Sequence, residues 1–425
     1  MSLLVDYIKG FLNRSGNYVF FSTLISRSLS FLGAWIALQI IDSKELGVIL
    51  FSFSIIQFVI PLGGLGLHQS LIRYGALLKT TEEKNQLFSY VFKKGFLGSF
   101  ALAALIIIIG YFIPFQFDQV YYYLIVLSAA IITNFIFEIV KIQFRLNHQN
   151  KIFAKSEIVF SIIQVVLIFS LSYLFQGVGY VISLIISPLI ASFFFRKRFP
   201  FTSSKSISLN IMGISFWKYG FFASLSNVVT QLLFIIDILL IGYFLNNSEM
   251  VTTYRYVSII PFSLLFIPRV FMTTDFVNFT ENIYNKKYIS NYIKSYVVLF
   301  SILSCILLVI SLFFSSEILK IFQKGFEIYS TSFLILMIGV IGIYITRGLF
   351  GNLLSSIGKA KLNYYIALSA LLLNIAGNSY AIPRYGIEGA ATVTSALMWL
   401  TGLASWFLFQ IHYKKLLFKE SRKKR

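Results

Sequence analysis

Cysteine occurs once in this chain, at Cys305, and histidine three times, at His68, His148 and His412. A lone thiol closes no intramolecular disulfide, and histidines so far apart fit no metal-ligand spacing. Acidic residues are sparse too, 16 against 36 Lys and Arg, and they form no Asp-x-Asp cluster. A membrane glycosyltransferase or acyltransferase needs a carboxylate, histidine or metal constellation at an aqueous face. None is visible, so no enzyme, no resident metal and no cofactor is expected, with Na⁺ or H⁺ coupling left open.

What the chain has in excess is apolar surface. Of its 425 residues 57% are hydrophobic and 18% aromatic, 46 of them Phe, while only 12% are charged. The mean hydropathy is +0.81. No water-soluble core absorbs that much apolar area, which places the chain among integral membrane proteins. The opening MSLLVDYIKGFLNRSG is a short amphipathic piece without an apolar h-region and cleavage site. The first span is therefore expected to be retained and to act as its own insertion signal.

A crossing helix needs roughly 20 apolar residues. By that measure twelve spans are expected, near 17–41, 46–69, 90–113, 120–141, 153–175, 178–195, 214–244, 251–274, 292–314, 328–354, 362–383 and 387–411. The expected fold is all-α and polytopic. It divides into a six-helix lobe over 1–196, a cytoplasmic linker at 197–213, a second six-helix lobe over 214–411 and a basic tail at 412–425.

The net charge of +20 follows the same division. Only Lys44, Lys320, Lys324 and Arg384 fall in loops on one side, and Arg27, Arg255, Arg269 and Arg347 fall within spans. The other 28 Lys and Arg lie on the opposite side or at helix ends beside it. The positive-inside rule then puts both termini in the cytoplasm. It also accounts for the basicity without nucleic acid, which is not an expected partner. Every outer loop is short, leaving no room for an extracellular or periplasmic domain.

The halves resemble each other in order. FRLNHQNKIFAKSEI leads through a span to FQGVGYVISLIIS, and LSSIGKAKLNYYI leads through a span to RYGIEGAATVTSA. Pairing Lys151 with Lys359 and Gly177 with Gly386 sets the copies about 208 residues apart. Six crossings per copy return the chain to its starting side. The copies are then parallel, related by a pseudo-two-fold axis along the membrane normal, with a substrate path between lobes that rock about it.

Three stretches carry a family resemblance. IDSKELGVILFSFSIIQFV, after the first span, has the glycine that follows an outer-loop glutamate in polysaccharide transporters. FIIDILLIGYFLNNSEMVTTYRYVSIIPF, with Asp237, is similar to the junction of their seventh and eighth spans. IPRYGIEGAATVTSALMWL carries their Pro-x-Tyr-Gly-Ile-x-Gly-Ala-Ala pattern, with Arg384 in the variable position. The chain thus resembles the Wzx-like lipid-linked oligosaccharide flippases of the multidrug/oligosaccharidyl-lipid/polysaccharide exporter superfamily. The resemblance implies twelve helices in two lobes, and export of undecaprenyl-diphosphate-linked glycan repeat units across the bacterial inner membrane. It also implies a polysaccharide polymerase and a chain-length regulator as partners. A flippase for the peptidoglycan precursor is the alternative, although such relatives usually carry two further spans.

The embedded polar groups are the candidate site. Arg27 interrupts FSTLISRSLSFLGAWIALQII, and a mid-span charge costs at least about 3 kcal/mol by insertion scales. On a helical wheel Thr23, Ser26, Ser30, Ala34 and Ala37 cluster around it. That stripe fits a cavity wall taking a diphosphate or acidic sugar, and equally a structural ion pair or a small-residue packing face. Asn227, Thr230, Gln231 and Asp237 share a wedge of the seventh span. The amides suit sugar hydroxyls or interhelical bonds, and Asp237 suits a counter-ion or a coupling cation. Arg255 and Arg269 flank the eighth span, with snorkelling as the plain alternative. Arg347 lies deeper, beside small residues. Glu138 and Glu157 are expected to form ion pairs beside Lys141 and Lys155. Four arginines against one clearly mid-span acid make a basic lining, which suits an anionic headgroup and disfavours cationic drugs.

Overall fold

The computed structural model describes residues 8–9, 16–75, 78, 80–147, 149–196, 213–357 and 359–423. All but the last residue of the expected linker 197–213 lies outside the described residues, as do His148 and the last two residues of the tail. Among the described residues there is no strand. The helices are α1 (Gly16–Ile40), α2 (Ser43–Val59), a 3₁₀ turn (Ile60–Gly66), α3 (Leu67–Gly75), α4 (Thr81–Tyr111), α5 (Val120–Leu146) and α6 (Asn150–Phe194). There follow α7 (Ile214–Leu245), α8 (Ser248–Leu264), α9 (Phe266–Glu281), α10 (Lys286–Phe322) and a short 3₁₀ turn at Phe326–Tyr329. The chain ends with α11 (Ser330–Gly342), a π turn (Ile343–Arg347), α12 (Gly348–Ser356) and α13 (Ala360–Lys423). The expected tail beyond 411 is thus a continuation of the last helix as far as Lys423.

Polar side chains punctuate the helix starts. Asp42 accepts from the Lys44 and Glu45 amides at 2.9 and 3.4 Å, and Asn247 accepts from Glu249 and Met250 at 2.9 and 3.3 Å. Thr80 and Glu83 form a reciprocal capping box. Each satisfies amide donors that a helix start leaves unpaired.

The packing is inverted relative to a water-soluble protein. On α10 the buried residues include Ser295, Ser304, Ser311 and Ser315, while Ile302, Ile306, Val309, Leu312 and Phe313 are exposed, Phe313 at 77%. Of these, the Ser311 hydroxyl donates to its own helix, to the Leu307 carbonyl at 2.7 Å. Lipid gives apolar side chains no reason to hide, so small residues take the helix contacts and let backbones approach. The same division on α6 buries Ser156, Ser161, Ser172, Ser183 and Ser187 and exposes Ile162, Val166 and Phe169. This is a multi-pass membrane protein.

Nine helical stretches among the described residues are long and apolar enough to cross a membrane, where twelve were expected from hydropathy. The three places where the counts part are specific. Helix α6 contains a reversal at Phe175 (φ −130°, ψ 15°) and Gln176 (φ 51°, ψ −131°). A Cβ on Gly179 would lie 1.9 Å from the Leu171 carbonyl oxygen, eight residues back and about 12 Å away along a straight helix. Helix α13 reverses in the same way at Gly386 (φ 57°, ψ −137°), where a Cβ on Gly389 would meet the Ala381 carbonyl at 2.5 Å. Each of these therefore holds two apolar segments in a hairpin. The third place is α7, a single helix of 32 residues from Ile214 to Leu245, of which the apolar stretch Ile235–Leu245 is described throughout.

Several helices are broken in the middle, and the freed backbone groups find partners. Between α2 and α3 the residues Gly64, Leu65 and Gly66 all have positive φ. The Gly64 amide donates to Ser99 Oγ at 2.7 Å, and His68 Nδ1 lies 3.2 Å from the Gly63 oxygen. Between α8 and α9 the Leu264 carbonyl accepts from the Tyr344 hydroxyl at 2.7 Å. Inside a membrane such breaks persist only where side chains replace the lost helix bonds.

The chain forms two compact units, Leu24–Thr252 and the described residues of Met1–Thr23 with Thr253–Arg425. This division falls at Thr252 rather than at the 197–213 linker. The reason is local: α7 is tied to α2 and α3, with the Ser70 hydroxyl donating to the Phe216 carbonyl and Thr252 Oγ1 to the Ser43 carbonyl at 2.7 Å. In the second unit Phe20 packs on Phe266 with ring centroids 5.6 Å apart.

The internal repeat is written in the backbone. The Asn147 amide bonds the Gln143 carbonyl and the Gln149 amide the Phe144 carbonyl, at 3.2 and 2.8 Å; Ile357 with Leu353 and Lys359 with Leu354 repeat both, at 3.2 and 2.9 Å. Every partner is 210 residues on, as are Gly386 from Gln176 and Gly389 from Gly179. The expected spacing of about 208 is corrected accordingly, and Lys151 corresponds to Lys361 rather than Lys359.

Candidate functional site

The residues singled out from the sequence are divided between the two units. In Leu24–Thr252, Arg27 is exposed on α1, and Ser30 on the same face donates its hydroxyl to the Ser26 carbonyl at 2.9 Å. Asn227 on α7 is exposed and Gln231 half-buried, while the side chain of Thr230 lies outside the described residues. Asp237, one turn and a half further on, is 1% exposed. In the other unit Arg255 is half-buried on α8, and Arg269 is exposed on α9 beside buried Pro268.

Arg347 has the most developed surroundings. It closes the π turn, is half-buried, and donates from Nη1 to Asn363 Oδ1 at 3.1 Å and to Ser405 Oγ. Asn363 is itself fixed, its Nδ2 donating to the Gly351 carbonyl at 2.7 Å and to Ser355 Oγ at 2.9 Å. The Ser405 hydroxyl itself donates to the Thr401 carbonyl at 2.7 Å. A guanidinium is thereby held by an amide and a hydroxyl, both neutral. Nothing in the sequence around Arg347 announced these partners, which come from the two segments of α13.

The ion pairs expected around Glu138 and Glu157 are present, with one difference. Lys141, 10% exposed in its side chain, takes both carboxylates, Glu157 at 2.8 Å and Glu138 closer still. Lys155 is exposed and joins neither among the described residues. The Lys141 ammonium also lies 4.9 Å from the centre of the Phe137 ring. Such a triad joins α5 to α6.

Two polar groupings were missed from the sequence. Asp275 on α9 is 0% exposed and accepts from the Tyr292 hydroxyl at 3.0 Å, so Asp237 is not the one acid buried within the helices. The expected end of that span at 274 had placed Asp275 in a loop, whereas α9 continues to Glu281. Asn374, Asn378 and Thr394 meet across the α13 hairpin. Asn374 Nδ2 donates to Thr394 Oγ1 at 3.2 Å, and Asn378 Nδ2 to Asn374 Oδ1 at 3.0 Å. The spacing of the two asparagines on one helical face was the available signal.

No protein-family model matches the sequence, and no curated protein matches it. Solved structures do. The lipid II flippase MurJ in an inward closed conformation superposes with a TM-score of 0.72 at 19% identity, over 96% of this chain and 92% of that one. An inward-facing multidrug resistance MATE transporter gives 0.69 at 11% identity, over 92% and 95%. A transporter of the MOP superfamily from Pyrococcus furiosus, described by the reverse polarity of its binding pocket, gives 0.60 at 14%, over 93% and 94%. Across nearly its whole length, then, the chain has the fold of MOP-superfamily transporters and flippases.

Proposed function

We propose that the protein is a flippase that carries undecaprenyl-diphosphate-linked oligosaccharide repeat units from the cytoplasmic to the outer leaflet of a bacterial inner membrane. The observation that carries this reading is the sign of the charge within the helices. Arg27, Arg255, Arg269 and Arg347 put guanidinium groups where lipid tolerates none, and guanidinium is the side chain best shaped for phosphate oxygens. The fold is shared by a lipid II flippase and by multidrug transporters alike, so it supports membrane transport, and the preference for an anionic glycan lipid over a cationic drug rests on the charge.

In this reading the two six-helix lobes, 1–196 and 214–411, alternate access to a cationic path. The sugar and diphosphate head travels through it while the isoprenoid tail stays in lipid. Asn227 and Gln231 bond sugar hydroxyls, and Asp237 serves as counter-ion or as the site of Na⁺ or H⁺ coupling. Both termini are cytoplasmic, where the basic connections draw anionic headgroups to the entrance. Moving each negative charge outward gains about 2.3 kcal/mol per 100 mV of inside-negative potential. A polymerase and a chain-length regulator act on the delivered units.

A second reading, transport of the lipid-linked peptidoglycan precursor, is favoured by the likeness to MurJ. Deletion followed by analysis of the lipid-linked pool separates the two. Accumulation of undecaprenyl-linked repeat units on the cytoplasmic leaflet supports the first, and accumulation of the peptidoglycan precursor supports the second. An unchanged pool in both classes rejects both.

A further inference from the structure

The two halves treat their buried cations differently. At the 210-residue spacing of the backbone repeat, Lys141, Glu138 and Glu157 correspond to Gly351, Gly348 and Ala367. The first half thus closes its cation with two carboxylates, whereas the second removes both carboxylates and presents Arg347 one turn before Gly351. No carboxylate pairs with Arg347 among the described residues, and its Nε and Nη2 hydrogens have no acceptor there. A half-buried guanidinium with neutral partners on one side and open donors on the other is a fork awaiting an anion.

Three further features shape the place. The π turn Ile343–Arg347 ends at this residue, and such single wide turns recur at functional sites because they re-aim a side chain. Asn363 and Ser405 hold Nη1 from a second element, so the plane of the guanidinium is fixed before any ligand arrives. Arg347 also lies nine residues from the end of α12 at Ser356, about 14 Å along the helix. That is too deep for the headgroup of a bulk phospholipid in its leaflet, so an anion reaching it must come in through the protein.

The geometry points to an anion site inside the second unit, built by Arg347 on a frame of Asn363 and Ser405, that takes a diphosphate group. It deepens the proposed transport of a diphosphate-linked lipid and rests on that reading for the identity of the natural ligand.

The structure also supplies a variant that keeps the arginine. A Cβ on Gly351 would sit 3.6 Å from Asn363 Oδ1 and 3.7 Å from Arg347 Cζ, ordinary contact distances. Gly351→Asp therefore adds the internal carboxylate that the first half already has, and occupies the fork without removing it. Binding of farnesyl diphosphate and of inorganic pyrophosphate to the full-length protein in detergent is measured by calorimetry, with lipid flipping measured separately in vesicles. Farnesyl diphosphate binding is expected to weaken at least about tenfold in both Arg347→Gln and Gly351→Asp, with Gly351→Asp raising the thermal midpoint. Equal affinity for pyrophosphate assigns the ligand to a free diphosphate, and much weaker affinity to a lipid-borne one. Wild-type affinity in a folded Gly351→Asp overturns the site. If the wild type flips lipid while neither variant changes binding, the site fails and the transport reading stands. If binding depends on Arg347 but no lipid is flipped, the transport reading fails and the site stands.

Discussion

Gln176 and Gly386, 210 residues apart, hold the same backbone conformation: φ 51° and ψ −131° at the first, φ 57° and ψ −137° at the second. Both are the reversal points of helical hairpins. This region of φ and ψ is close to glycine-only, because a Cβ there meets the flanking carbonyls. The second copy uses glycine, and the first pays the strain with glutamine.

Gln176→Gly should therefore stabilise the protein, and Gly386→Ala should destabilise it by about 1–3 kcal/mol. Thermal unfolding in detergent checks both. Glycine's larger unfolded ensemble damps both changes, reducing the gain at Gln176 and the loss at Gly386 alike. Equal midpoints for wild type and Gly386→Ala would remove the strain from the account.

Lys141 is the position most sensitive to removal of a charge. Two carboxylates face it, and Lys141→Ala leaves Glu138 and Glu157 opposed with no cation between them. A loss of about 3 kcal/mol is expected, the low end for a broken buried pair because both glutamates are partly exposed. The triple variant with Lys141→Met, Glu138→Gln and Glu157→Gln should recover most of it. If the single variant unfolds at the wild-type midpoint, the triad contributes no stability.

How much of this was visible beforehand varies with the kind of interaction. The apolar spans were legible because lipid imposes a length and a composition that chemistry cannot disguise. The break at IPLGGLG was not anticipated, because hydropathy alone runs 46–69 together as one span although its glycines permit the positive φ values found there. The repeat was legible as a motif, but its spacing was misjudged because residue identity tempted a pairing of Lys151 with Lys359 that the hydrogen bonds do not follow. Asn363 and Ser405 could not have been assigned to Arg347 from sequence, lying 16 and 58 positions away. The unit boundary at Thr252 was equally hidden, for it depends on which helix α7 packs against.

Cys305, the chain's single thiol, reports on the lipid surface of α10. It is exposed among residues such as Ile302, Ile306 and Val309 that face outward. A charged reagent does not enter hydrocarbon, so a thiol on a lipid-facing surface is out of its reach. In intact membranes Cys305 should resist a charged methanethiosulfonate reagent from either side and become labelled once the protein is denatured. Rapid labelling in the native membrane would show that this face of α10 meets water.

Arg27 supplies the most direct test of the transport reading, because it is exposed on a helix otherwise suited to lipid. A guanidinium that binds substrate phosphate should be lost with function rather than with folding. Arg27→Ala is expected to leave the amount of protein in the membrane unchanged while lowering the flipping rate at least about tenfold, the value of one charge-assisted contact. Arg27→Lys keeps the charge but not the planar fork, and should fall between the two. Flipping of a fluorescent undecaprenyl-diphosphate glycan in reconstituted vesicles measures the rate. Cysteines placed singly at positions 23, 27 and 30 in a Cys305→Ser background provide a second readout, since a water-lined path exposes them to charged reagents. If those positions are unreachable and Arg27→Ala flips lipid at the wild-type rate, Arg27 is a packing residue and has no part in moving the headgroup.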